Sequence, residues 1–247
     1  MRWIPAAFLL FSSLYLAAHA AGTDDKARDE AIAIFMRIGE TCETKGMEAC
    51  EPNLRGMEAL FDYFRAVNEM EQTEAEFVAF VRTRYSMPDF TMDKMAAHLK
   101  VKLGVEVNCH SFDGNVQQAT RVPGGYDVQT KDGLTRLRLE KQTWVAYLPA
   151  EMDKKMTIAR RYTFAAKLKR SIMIYRKMEA ELLDYNLDEF ATRFVGDLGP
   201  LAVALLQKPD MIAQMPDWQQ KVQGVIDFYS QFKSVEDMRA HILASKK

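Results

Sequence analysis

Histidine and cysteine are scarce in this chain, and the motifs that organise most metal and nucleotide sites are missing. Of four histidines, three (His98, His110 and His241) fall on separate predicted elements. No H-E-x-x-H, C-x-x-C or EF-hand loop occurs, so neither a metal site nor any other cofactor is expected. A G-x-S-x-G elbow, a P-loop and a dinucleotide fingerprint are also missing, which argues against an enzyme and leaves no catalytic residue to name. Cys109-His110 sets a nucleophile beside a base, but neighbours on a strand point to opposite faces, so this His does not serve this Cys. The methionine pairs Met92/Met95, Met152/Met156 and Met211/Met215 stand at helical spacing. Without tighter thioether clusters they read as adaptable core packing, or as the lining of a pocket for a lipid-like ligand, rather than a copper site.

Charge of one sign is also lacking. There are 33 basic and 34 acidic residues, a net charge of −1, and nothing in that balance makes nucleic acid an expected partner. No low-complexity tract or repeat is found. Long apolar runs are missing except at the start, where Ile4–Ala18 follows Arg2 and leads to Ala18-His19-Ala20. This pattern predicts a secretory signal peptide over residues 1–20, cleaved after Ala20, and a periplasmic or secreted protein. Residues 21–247 are then expected to form a single α+β domain. In an oxidising compartment, Cys42 and Cys50 flank a turn at Gly46, which predicts a disulfide between them; Cys109 remains as a buried free thiol. The bridge closes a short loop and should contribute less than a long-range one.

What is present is organised around residues 105–148, the part that reads as β; residues 21–104 and 149–247 read as helical. Asp113-Gly114, Pro123-Gly124-Gly125, Asp132-Gly133 and Lys141-Gln142 divide this stretch into five strands: Val105–Phe112, Asn115–Val122, Tyr126–Thr130, Leu134–Glu140 and Thr143–Leu148. The expected fold is an α+β arrangement with an antiparallel five-stranded meander packed by N-terminal and C-terminal helices. A three-residue Pro-Gly-Gly loop sets Val122 opposite Tyr126, Asp127 opposite Arg138 and Val128 opposite Leu137. One face then carries Val105, Val107, Val122, Tyr126, Val128, Leu137, Leu139 and Trp144, and the other alternates Glu106, Arg121, Asp127 and Arg138. A two-residue loop would place Arg121 beside Tyr126 and mix the faces. Arg136, Arg138 and His110 invite an anion-site reading, but a solvated face laced with cross-strand pairs is the simpler reading of the row. Val145 and Tyr147 fall on the polar side near Arg138 and Arg136, which suggests that this edge is partly covered.

Before the sheet, a helix follows Asp24/Asp25, with a stripe of Ala27, Ala31, Ile34, Phe35 and Ile38. Asn53 is the expected cap of a second helix, Thr73-Glu74-Ala75-Glu76 a capping box opening a third, and Thr91 the cap of a fourth ending at Gly104. After the sheet, a long helix is predicted over residues 153–185. Between Lys154 and Lys177 it carries nine basic residues and no acidic one, with acids following from Glu179 to Glu189. Its charges scatter around the circumference, so a central helix with snorkelling or paired charges competes with a basic contact surface. Phe190, Phe194 and Leu198 mark the next helix, with a break expected at Gly199-Pro200. Trp218–Tyr229 and a Ser234-capped helix close the chain.

The layout of exported N-terminal helices, a strongly turned sheet containing Trp144-Val145-Ala146-Tyr147, and C-terminal helices resembles periplasmic phospholipid-shuttle proteins of the MlaC type, whose sheet is NTF2-like. The resemblance implies a lipid or other amphiphile held in an apolar cavity, with the basic segment meeting anionic headgroups. The alternative is a protein-interaction module, such as an inhibitor, immunity protein or envelope-assembly factor, whose basic helix meets an acidic protein partner or an anionic membrane surface. Candidate ligand-binding residues are Arg136, Arg138 and Tyr147 on the sheet, with Lys167 and Arg170 on the long helix.

Overall fold

The protein is described from a computed structural model that covers residues 24–96, 115–150, 153–206 and 216–246. The predicted leader, the expected strand 105–112, His98, Cys109 and His110 lie outside the described residues. Helix α1 (Asp25–Lys45) starts where Asp24 caps it, its carboxylate accepting from the Ala27 amide at 3.2 Å. The predicted stripe is its buried face. A disulfide joins Cys42, in its last turn, to Cys50 across 5.1 Å between Cα atoms. Cys50 belongs to a 3-10 turn, Met47–Asn53.

That turn delivers β1 (Leu54–Arg55) to the edge of β5 (Thr143–Tyr147), running parallel to it. The Asn53 side-chain amide donates to Trp144 O at 3.0 Å and fastens the junction. Asn53 therefore tethers a strand rather than capping a helix. The strands β2 (Val116–Val122), β3 (Gly125–Thr130), β4 (Gly133–Glu140) and β5 pair antiparallel in sequence, giving the order β1-β5-β4-β3-β2. The sheet is thus α+β in context but mixed, not the purely antiparallel one expected. Free backbone groups along β5 find their partner in the clamped segment before α2.

The register also differs. Val122 pairs with Gly125 and Arg121 with Tyr126, so the turn is the two-residue Pro123-Gly124. Asp127 consequently faces Arg136, and Tyr126 faces Leu137. The mixed face is tolerated because α1 supplies Glu30, whose carboxylate accepts from Arg121 and, at 2.5 Å, from the Tyr126 hydroxyl. Leu139 is 50% exposed instead of buried. Val145 and Tyr147 do stand opposite Arg138 and Arg136, and Val145 is buried.

Helix α2 (Glu58–Arg84) runs through the expected capping box without a break. The Thr73 hydroxyl donates to Glu69 O within the same helix, so it is an interior residue. Helix α3 spans Asp93–Ala96, and α4 spans Asp153–Leu183 as one uninterrupted helix. Helix α5 (Leu187–Leu206) passes over Gly199-Pro200 instead of breaking. Gly199 has no Cβ, which relieves the clash that disfavours helical backbone before proline. Helices α6 (Pro216–Ser230) and α7 (Val235–Ser245) follow, the latter opened by the predicted Ser234/Asp237 capping box.

Two cores result. One lies between α1, the sheet and the first turns of α2 and α4, and includes Phe35, Phe61, Val128, Leu137 and Met156. The other is all helical, with Phe77 stacked on Phe190 and Phe194 at 5.5 and 4.7 Å between ring centroids. Helices α2 and α4 contribute to both.

Gly125 shows how tightly the sheet depends on its register. A Cβ there would lie 1.9 Å from Leu137 O on the paired strand. Gly125→Ala is expected to destabilise the fold by about 3 kcal/mol or more. Gly224, in the middle of α6 with open space around it, should respond oppositely, Gly224→Ala adding about 0.5–1 kcal/mol. Urea denaturation midpoints test both signs.

Candidate functional site

Two side chains zip α2 to α4. Lys169, buried on α4, places its ammonium 2.7 Å from Glu74 of α2. One residue on, Arg170 donates to the Thr73 hydroxyl at 3.2 Å and stands 3.8 Å from Glu69. Beside this zip the helices diverge into an open groove enclosing about 310 Å³. Its α2 wall presents Glu69, Thr73 and Glu76 at one-turn spacing; its α4 wall presents Arg170, Ile174, Lys177 and, at its end, Glu181 in the same way. Phe77, Met173 and Met178 form the floor, and Val235 at the start of α7 is exposed at its margin. The Lys177 ammonium sits 5.9 Å from the Phe80 ring centroid, so this cation leans on an aromatic face. An apolar floor between an acidic wall and a wall that is basic except at its Glu181 end suits a ligand with one apolar part and a polar or charged end.

On the far side of α4 lies a cluster that sequence reasoning did not assemble. Arg176 donates from Nε and Nη2 to Asp197 Oδ2 of α5, each at 2.6 Å, and also pairs with Glu179. The Tyr229 hydroxyl of α6 donates to the same Asp197 oxygen at 2.5 Å, and Tyr185 donates to Glu179 at 2.9 Å. Burial, with Asp197 adding to it against Arg176, pushes the Tyr229 hydroxyl far above the usual tyrosine range. Burial and the Glu179 hydrogen bond push Tyr185 up to about 12. Burial alone would lower the Arg176 guanidinium, but Tyr229, Asp197 and Glu179 outweigh it and raise it. Such groups neither lose nor accept protons near neutrality, and both carboxylates, Glu179 and Asp197, accept from more than one donor. The cluster fixes α4, α5 and α6 against one another. The sequence does carry a trace of it: Asp197 interrupts the face shared by Phe190, Phe194 and Leu198, and Arg176 precedes Glu179 by one turn.

The expected site residues do not form one site. Arg136, Arg138 and Tyr147 share the sheet face turned away from α1, where Arg138 pairs with Asp127 at 2.6 Å and the Tyr147 hydroxyl donates to Glu140. Arg170 lines the α2–α4 groove, and Lys167 is exposed on α4. A second, shallower groove of about 630 Å³ lies between Glu58, Asp62, Leu148, Met156 and Arg160. Among the described residues, no cluster of three His, Cys, Asp or Glu side chains is placed to hold a metal ion, and no helix is long and apolar enough to cross a membrane.

Comparisons with protein-family models, curated protein sequences and solved structures each found no match. The likeness to MlaC-type shuttles therefore rests on element order alone, and function has to be argued from the groove.

Removing Asp197 takes two contacts from the buried Arg176 guanidinium and leaves it only Glu179, so Asp197→Ala should cost about 3 kcal/mol. Asp62→Ala, at an exposed pair with Arg65, should cost under about 1 kcal/mol. A tyrosine whose pKa is raised by folding stabilises the fold fully below its unfolded pKa of about 10 and loses that contribution as pH rises through the folded value. For Tyr185 the window ends at about 12. Urea midpoints should therefore fall from pH 10 to 12, and Tyr185→Phe should flatten that fall.

Proposed function

We propose that the protein is an exported, non-enzymatic binding protein that holds an amphiphile in the α2–α4 groove. The observation that carries this reading is the groove's chemistry: Phe77, Met173, Ile174 and Met178 offer an apolar bed, flanked by Arg170 and Lys177, with Glu181 beyond them, on one side and by Glu69 and Glu76 on the other. The volume of about 310 Å³ stands at the lower end of small-molecule sites. It suits a single apolar chain with its polar end at the rim, rather than a whole two-chain lipid enclosed in a cavity. Methionines on the floor adapt to chains of different shape. The Cys42–Cys50 disulfide is compatible with export.

A second reading is favoured by the groove's openness. An apolar side chain on a partner protein, flanked by charges of both signs, would meet the same walls.

Native mass spectrometry of the protein purified from a bacterial periplasm, followed by solvent extraction, separates the two. The amphiphile reading expects a stoichiometric adduct that extracts into organic solvent and is lost from Ile174→Glu, which sets a carboxylate on the groove wall. A clean apo mass, unchanged after incubation with lipid vesicles, contradicts it and leaves the partner-protein reading.

A further inference from the structure

The basic residues of α4 are not equivalent. Lys169, Arg170 and Arg176 are engaged by carboxylates of α2, α4 and α5. Arg161 and Lys167 are exposed and have no ion pair among the described residues. They stand one turn before and one turn after Phe164, whose side chain is 45% exposed. The three residues follow an i, i+3, i+6 spacing and so share one side of the helix. Arg160, also exposed, lies one turn before Phe164, but it borders the second groove beside Glu58 and Asp62 and so is not counted as available.

We infer that this face of α4 is a docking surface for an anionic lipid membrane. An exposed phenylalanine between two cations that have no ion pair among the described residues matches the boundary of an anionic bilayer, where phosphates meet the cations and the ring enters the headgroup layer. Shape favours a membrane over an acidic peptide. Arg161, Phe164 and Lys167 line neither of the two grooves described above and stand together on the convex surface of one helix, which has no walls of its own to orient a peptide. A lipid surface needs no such walls. The local patch has to do the work, because the overall charge of −1 gives no general attraction to anionic surfaces. This surface is independent of what the α2–α4 groove holds.

Vesicle cosedimentation of the disulfide-bonded protein tests the inference, using phosphatidylglycerol/phosphatidylcholine vesicles with pure phosphatidylcholine as control. The expected result is partitioning onto the anionic vesicles only, weakening as salt rises. Arg161→Glu with Lys167→Glu should lower it by about tenfold or more. Phe164→Ser should lower it severalfold, while Lys233→Glu, a reversal at an exposed position before α7, should leave it near wild type. Circular dichroism checks that each variant is folded, and Phe164→Ser keeps the test open if the double reversal is not. Absence of partitioning, or partitioning that survives these substitutions, overturns the inference. Binding to soluble polyglutamate but not to vesicles also overturns it and assigns the face to an acidic protein.

Discussion

The packing of α2 along α4 is the constraint from which the rest of the structure follows. Tyr63 meets Tyr162 at 6.3 Å between ring centroids, Thr73 meets Arg170, and the Tyr85 hydroxyl donates to Tyr185 O at 3.1 Å. Those pairs ascend together, so the two helices run parallel. Parallel neighbours cannot be joined by a short loop; after α2 the chain has to return the length of the pair before α4 begins. The sheet lies on that return path, which is why it packs against the first turns of both helices. With 27 and 31 residues, the helices span roughly 40 Å or more, long enough to serve the sheet core at one end and the helical core at the other. The buried Lys169–Glu74 pair sets their register, because any slip would strand an ammonium in the interior.

This arrangement explains why α4 shows no clean apolar stripe. Its first turns face the sheet core through Met156 and Ala159; farther on it faces the helical core through Leu168, Ile172 and Met173. Each neighbourhood buries a different side, so the basic residues fall on every side in projection while each is locally placed. The same change of partner leaves a groove on one side, a buried charge cluster on another, and the exposed Arg161–Phe164–Lys167 face on a third.

Much of the fold was legible because it rests on local signals. The α1 stripe, the Cys42–Cys50 bridge, the last four strand positions and the Ser234 cap all follow from short-range patterns. The failures occur where tertiary context overrides such a pattern. Thr73-Glu74-Ala75-Glu76 has the form of a capping box, but apolar residues on both sides bury against α4 and keep α2 continuous. From local sequence the Pro123-Gly124 turn is disfavoured because it sets Arg121 beside Tyr126; Glu30, 91 residues away from Arg121 on α1, makes that pairing acceptable. In sequence Arg170 is one member of a charge run; its groove neighbours Thr73, Phe77 and Val235 lie on other helices far along the chain, so no local pattern points to them.

If the α2–α4 groove is the ligand site, its methyl groups should report binding directly. Methyl NMR during titration with a single-chain anionic amphiphile, kept below its micelle concentration, makes the most direct test. The account predicts saturable shifts at Met173, Ile174 and Met178, with Met57 in the sheet core and Met156 in the second groove unmoved. Shifts centred on Met156, or none at the α2–α4 groove at saturation, would contradict it.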